Sequence, residues 1–375
     1  MFKVKVLRTI SDVDKATIND LSDDGFFTHE WFKVLEVSKP FKIEPRYFVA
    51  YDSGEAVAIA PCFIEHDSQY PTIEELSPWL GRLRKAGNSL GFSLNPPLVC
   101  HSPCSFHSKI LIQKGYSKKT ILDLLCKEID ESCKKDRILF SSFPFVSEFD
   151  ETLMMGLADR GYAKVPFVET AYMEIKWTSF EDYLTHLGRK TRTNIRRELK
   201  KNRSHEIIIE QENDFHKLSG ILSDLYSNLF MKYRGRRSPL HPLFFTAIGE
   251  HAKCITRLFI ARKNGSVIGF TLCLLHKGVL DVYLAGFDYE RLTKTDFTYF
   301  NTVFYAPIRN AIEGGFEKIH YRSASLEAKL SRGCRIEKSY LFIKCHVRPL
   351  NCILSQYARM KYKEKGANIL PLNDL

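Results

Sequence analysis

The chain is 375 residues long, 44% hydrophobic and 26% charged, the ordinary make-up of soluble globular protein at a length comfortable for two domains. It holds no run of 18 apolar residues, so no transmembrane helix is expected, and the start MFKVKVLRTISDVDKAT turns polar too early for a signal peptide. Fifty-five Lys and Arg against 44 Asp and Glu leave a net charge of +11, which points to an acidic partner: nucleic acid, a nucleotide-bearing substrate or a membrane surface.

In chain order, residues 26–35 read as a short helix capped by Thr28. Phe48–Tyr51 and Ala56–Ile64 alternate around Asp52-Ser53-Gly54 as a β-hairpin. Residues 66–105 are rich in Pro, Gly, Ser and Asn and read as irregular, with one strand at Pro97–Cys100. Within them CHSPCSFH places Cys100, His101, Cys104 and His107 close together. The spacing fits no standard zinc motif and no second pair lies nearby, so no metal site is expected. Residues 118–135 form an amphipathic helix, 137–143 a strand closed by Pro144, and 151–160 a helix ended by Gly161. The ten scattered cysteines, with no export signal, read as reduced thiols of a cytoplasmic protein.

The second half repeats the plan. Residues 170–177 form a strand, 179–202 a helix, 206–210 a strand, and 214–233 and 242–251 helices. A hairpin pairs 256–263 with 266–276 across Asn264-Gly265. A strand at 279–285, a helix at 297–313 and strands at 318–321 and 339–347 follow. Both halves carry a strand–turn–strand unit and then a helix ending in Gly before a further strand. Two related α/β domains are expected, with the border near 163–168.

The densest signal is Arg189–Arg203, with eight Lys/Arg and one acid in fifteen residues. Phe180, Leu184, Leu187, Thr191, Ile195 and Leu199 recur at helical spacing as a buried face. Arg189, Arg192, Arg196, Lys200 and Arg203 recur on another. Such a helix suits a phosphate-bearing ligand, because guanidinium forks match its oxygens.

Three stretches carry a resemblance to a known family. They are WTSFEDYLTHLGRKTRTNIRRELKK (177–201), VYLAGFDYERLTKTDFTYFNTVFYAPIRNAIEGGFEKIHY (282–321) and EAKLSRGCR (327–335). Together they resemble the N-acyltransferases of the GNAT superfamily in their two-domain, FemAB-like form. The resemblance implies an α/β (α+β) fold of two tandem GNAT-like domains, each a mixed, mostly antiparallel sheet flanked by helices. The domains would span 1–165 and 166–350, the second carrying the main motifs, with a peripheral tail at 351–375. It implies transfer of an acyl or aminoacyl group from an activated donor to an amine. One departure stands out. The loop before residue 297, ERLTKTDFTY, lacks the glycines that cradle CoA pyrophosphate in GNAT enzymes.

By this resemblance Lys329 lies at the acyl junction, where an ammonium would face the developing oxyanion. Gly333 would permit close backbone approach. Arg189, Lys190, Arg192, Arg196 and Arg197 are the candidate phosphate clamp, with Arg192 and Arg196 one turn apart favoured. Arg234 and Arg236 flank Gly235 in a second basic loop. Tyr283, Asp288 and Tyr289 fall at a strand end and in the loop after it, where α/β proteins place ligand contacts. Asp288 and Tyr283 join Lys329 as candidate catalytic residues; Asp288 orders the acceptor amine, acts as a base, or bonds its own backbone. Arg322 is a further candidate anion contact and a possible partner for Glu327. His276, His320 and His346 read as strand histidines.

The leading expectation is an aminoacyltransferase using aminoacyl-tRNA, since phosphate neutralisation suits the basic surface. The acceptor would be a peptidoglycan precursor, a lipid or a small specialised metabolite. The alternatives are an N-acyltransferase using acyl-CoA or an acidic acyl-carrier protein, and a non-catalytic nucleic-acid-binding protein. No tightly bound cofactor is expected; aminoacyl-tRNA or acyl-CoA enters as co-substrate.

Overall fold

The computed structural model describes residues 2–66 and 96–364, without the side chains of Arg234 and residues 361–364. Most of the stretch expected to be irregular over 66–105, and residues 365–375, lie outside the described residues. The first half runs β1 (Lys3–Leu7), α1 (Lys15–Leu21), α2 (His29–Ser38), β2 (Ile43–Asp52), β3 (Glu55–Glu65), β4 (Leu98–Cys100), β5 (Leu111–Ile112), α3 (Lys118–Lys135), β6 (Phe140–Ser147), α4 (Glu151–Asp159) and β7 (Ala163–Glu174). The second runs α5 (Phe180–Thr185), α6 (Arg189–Ser204), β8 (Ile207–Glu212), α7 (Phe215–Arg234), α8 (Pro242–Ala247), β9 (Thr256–Lys263), β10 (Ser266–His276) and β11 (Val279–Phe287). Next come α9 (Thr298–Phe300), a π-helical turn at Asn301–Tyr305, α10 (Ala306–Glu313), β12 (Lys318–Tyr321), α11 (Leu326–Leu330), β13 (Arg335–Cys345) and α12 (Arg348–Glu364).

The strands join into one 13-stranded mixed sheet in the order β1-β2-β3-β4-β6-β13-β7-β12-β11-β10-β9-β8, with β5 on β3. Each half holds one parallel pair, β4 with β6 and β11 with β12; the other pairs are antiparallel. The mixed, mostly antiparallel sheet with flanking helices is the architecture expected. The residue 165/166 border falls inside β7, and β13 crosses back to pair with β6 on one side and β7 on the other. Residues 351–364, expected in a peripheral tail, belong to α12, which buries Leu354 and Ala358 against the central strands.

Local chemistry explains the elements that were foreseen. Thr28 caps α2 by accepting from the Trp31 amide, as an N-cap hydroxyl does. Both hairpin turns hold positive φ, at Ser53-Gly54 and Asn264-Gly265, where Gly and Asn carry the least strain. Two expectations are corrected. The strand expected to close at Pro144 runs on to Ser147. The ladder with β13 shifts register between Tyr340 and Phe342, and Phe145 takes φ 58°, so the proline sits in a bulge that needs no donor. The helix expected over 179–202 is two helices, and α6 starts afresh with Gly188 as its cap residue.

One hydrophobic core is shared by the two halves. It packs Phe26, Trp31 and Phe63 with Leu222, Phe244 and Tyr283. Helix α7 lies so close to β11 that a Cβ at Gly286 would stand 2.7 Å from backbone atoms of Leu225 and Tyr226. Gly286→Ala should therefore cost about 3 kcal/mol, the upper range for overpacking, read as a lower urea midpoint with unchanged slope.

Candidate functional site

The site grows from a break in the sheet. β11 and β12 pair through Val279–Lys318, Leu280–Ile319 and Asp281–His320 and share no register pair beyond it. A small cavity fills the gap, walled by Asp281, Val282, His320, Arg322 and, from the first half, Phe106 and His107.

Arg322 leaves the end of β12 and reaches the first half. It donates to the Cys104 carbonyl, and its guanidinium lies 4.6 Å from the Phe106 ring and 4.8 Å from the Tyr283 ring. Tyr283 is buried beside the Cys104 thiol, and burial raises its hydroxyl pKa far above the ordinary value. Trp31 stacks edge-on to Tyr283 at 5.2 Å and donates through Nε1 to the Pro103 carbonyl at 3.3 Å. The pairing expected between Glu327 and Arg322 does not form; Arg322 takes a backbone carbonyl instead.

Lys329 sits on α11 and is 4% exposed. Its Nζ donates to the Arg322 carbonyl. Burial, reinforced by Arg322, pulls its pKa down to about 7. An amine poised near neutrality in a closed site is characteristic of functional lysines. Gly333 follows at φ +88°, where an added Cβ would stand 3.4 Å from Leu187.

The basic helix α6 is tied to the turn after α11 by its only acid. Glu198 and Arg332 are each 6% exposed and pair at 2.9 Å. Tyr305 donates to the same carboxylate oxygen, Arg332 Nε reaches Tyr305 at 3.2 Å, and the guanidinium lies 4.0 Å from the Phe300 ring. The helix thus buries Ile195, Glu198 and Asn202, so its inward face is rotated and more polar than the apolar stripe expected.

Arg189, Lys190, Arg196 and Arg197 are exposed. Arg196 pairs with Glu181 at 2.8 Å, Arg192 donates to the Thr185 carbonyl at 3.3 Å, and Arg197 lies 5.9 Å from the Phe297 ring. Arg189, Lys190 and Arg197 have no ion-pair partner among the described residues. Arg236 is exposed in the loop after α7, and the Arg234 side chain is outside the described residues. Asp288 accepts from the amides of Glu290 and Arg291 and pairs with Arg291 at 3.3 Å. Its carboxylate is occupied within its own loop. Tyr289 stands beside Lys232 at 4.2 Å, and burial raises its pKa to about 12. The structure therefore gathers Tyr283, Arg322 and Lys329 at the strand gap, and leaves most of the helix cations on the surface.

Sequence reasoning missed a buried polar cluster at the same gap. His107 Nδ1 and Asp24 lie 2.8 Å apart, and Lys109 stands 3.5 Å from the same carboxylate oxygen. Burial opposes charge on Asp24, but Lys109 and His107 outweigh it and lower its pKa. Asp281 has no such partner; burial and the neighbouring Asp24 charge raise its pKa to about 7, and its Oδ2 has no hydrogen-bond partner. Burial pulls His320 well below the usual imidazole value. Four separate segments supply these groups, so no spacing in the chain announces them. His107 and His320 also line a wide groove of about 1300 Å³ that runs along the first half. The groove carries Asp12, Asp14 and Asp20 together with Lys109, Lys114 and Lys118.

The start of α9 carries an anion of its own. The Asp296 carboxylate accepts from the amides of Thr293 at 2.6 Å and Thr298 at 2.9 Å. Asn202 of the basic helix donates to the Asp296 carbonyl at 2.9 Å. The amide at the start of α9 is thus already served by the protein.

The fold has known counterparts. FemX superposes with a TM-score of 0.63 at 12% identity, covering 94% of this chain and all of that one. A tandem GNAT protein from the clavulanic acid biosynthesis pathway gives 0.53 at 10% identity, covering 92% and 99%. L-PGS from Bacillus licheniformis gives 0.51 at 13% identity, covering 85% and 90%. No curated protein matches the sequence. No helix among the described residues is long and apolar enough to cross a membrane. The FemAB-like family model, described as peptidoglycan biosynthesis/recognition, matches residues 9–373, and the chain accordingly belongs to the FemAB-like family and is an acyltransferase.

Proposed function

We propose that this protein moves an aminoacyl group from aminoacyl-tRNA to the amine of a cell-wall precursor. The observation that carries the reading is the Glu198–Arg332 pair, which fixes the cationic helix α6 to the turn directly after α11, the helix that bears Lys329. A long polyanionic donor can lie on the exposed cations of α6 while its acylated end reaches the gap between β11 and β12. Asp296 supports the same donor. It occupies the helix start where a CoA pyrophosphate would accept hydrogen bonds, and a second anion there would be repelled.

In this reading the acceptor lies in the groove and its amine meets the ester carbonyl at the strand gap. A C–N bond forms, the tetrahedral oxyanion collapses, and the ester bond between the acyl carbon and the ribose oxygen breaks. The proton lost by nitrogen ends on the departing hydroxyl. Arg322 and the protonated form of Lys329 supply the positive field for the oxyanion, and the burial of Lys329 strengthens it. The mixed acids and lysines of the groove suit an acceptor that carries both an amine and acidic groups.

The test offers charged tRNA, acyl-CoA and an acylated carrier protein to the purified chain with an amine-bearing cell-wall precursor, and follows product by mass spectrometry. Product should depend on charged tRNA and vanish after ribonuclease treatment. Product with release of free thiol, insensitive to ribonuclease, would overturn the choice of donor. Binding to tRNA should weaken steeply with salt, and the triple variant Arg189→Gln, Lys190→Gln, Arg197→Gln should flatten the log–log slope by about one for each phosphate it no longer neutralises.

A further inference from the structure

We infer that His107, His320 and Glu337 form a binding site for one divalent transition-metal ion, Zn²⁺ being the first candidate. The inference stands apart from the choice of donor and from the transfer reaction itself. Each residue offers a ligand atom, and the three atoms lie within 4.8 Å of one another. No other such group occurs among the described residues. The cysteine-bearing run CHSPCSFH contributes only His107, and the remaining ligands come from two distant strands.

Strand register explains the convergence. Tyr172 of β7 is flanked by His320 on β12 and Arg335 on β13, and Thr170 is flanked by Glu337. Residues two apart share a face, so His320 and Glu337 stand on one side of the sheet. His107 arrives from the first half and closes over them, its ring 4.9 Å from that of His320 at 71°.

The surroundings orient the ligands. Asp24 holds His107 through Nδ1 at 2.8 Å and is itself fixed by the Phe26 amide at 2.9 Å. That leaves Nε2 as the ligating nitrogen, the carboxylate–histidine–metal relay common at protein metal sites. Ser147 Oγ donates to Glu337 in the same way. Two imidazoles and a carboxylate select borderline ions such as Zn²⁺, Co²⁺, Fe²⁺ or Mn²⁺ over Mg²⁺ and Ca²⁺. Asp24 and Asp281 offset Lys109 and Lys318 around the site. All three ligands line the wide groove, so an open coordination position would face whatever the groove holds.

The full chain, stripped with a chelator and exchanged into metal-free buffer, is titrated with Zn²⁺ by calorimetry and with Co²⁺ by visible absorption. One ion per chain should bind, with cobalt d–d bands and no thiolate-to-cobalt charge transfer. Glu337→Gln and His320→Ala should each weaken binding at least ~10-fold, and Asp24→Asn by ~10–100-fold, the usual range for a lost outer partner. Circular dichroism and thermal melts without metal establish that each variant is folded; Glu337→Gln, nearly isosteric, serves if His320→Ala does not fold. Absence of saturable binding, unchanged affinity in a folded variant, or thiolate charge transfer from exposed Cys254 or Cys352 would each overturn the site.

Discussion

Lys329→Met should silence transfer and yet leave the folded protein more stable, most of all at and below pH 7. Its amine sits in a closed site with its pKa drawn from 10.5 to about 7 by burial. That gap corresponds to roughly 4–5 kcal/mol of penalty on the charged form. Methionine matches the length of the side chain without the charge, and forfeits about 1–3 kcal/mol for the hydrogen bond to the Arg322 carbonyl. A net gain of about 2 kcal/mol is expected near neutrality.

The sign follows from proton counting. Between about pH 7 and 10.5 the unfolded chain keeps the lysine proton and the folded one has released it, so wild-type stability climbs with pH through that window. The advantage of Lys329→Met is therefore full at and below pH 7 and shrinks towards pH 10.5. Urea unfolding of the two proteins, compared at each pH, isolates this group from the cysteines and tyrosines that titrate in the same range. Activity should fall by ~10²–10⁴-fold, as loss of a group acting on the reacting atoms does. A variant that is less stable at every pH, or that keeps its rate, would remove Lys329 from the chemistry.

Glu198→Gln should give the largest loss of stability of any single change outside the hydrophobic cores, about 3–5 kcal/mol. It strands the Arg332 guanidinium, 6% exposed, without its counter-charge, and disturbs the Tyr305 hydroxyl that shares the carboxylate. The double variant Glu198→Leu, Arg332→Met should recover most of that loss, because a buried ion pair replaced by apolar residues is often neutral. The coupling from the full cycle should reach about 2 kcal/mol. Since the pair joins α6 to the turn after the Lys329 helix, the stable double variant should still lose transfer activity. Recovery of both stability and activity would show that the link carries no functional geometry.

What the chain discloses by itself is local. Thr28, Ser53-Gly54 and Asn264-Gly265 encode their cap and turns within four residues, and those elements appear where expected. The cationic run at 189–203 is equally plain as composition. Its inward face is not, because Glu198 reads as one more surface acid until Arg332, 134 residues later, folds against it. Lys329 emerged through family resemblance, and nothing in EAKLSRGCR signals that its amine is buried. Asp24, His107, Asp281 and His320 were invisible together, since strand register and a loop from the other half assemble them. Pro144 misled for a related reason: it ends a regular strand, but the bulge that accommodates it depends on β13.

The placement of β13 has a consequence for biosynthesis. The strand between β6 and β7 is the last of the described strands to be made, so neither half can complete its hydrogen bonding before it emerges from the ribosome. Until Arg335–Cys345 emerge, β6 and β7 expose facing edges that invite pairing with other nascent chains. A premature stop before residue 335 would remove that strand from the middle of the sheet, and such fragments should accumulate as aggregates and not as a working first domain.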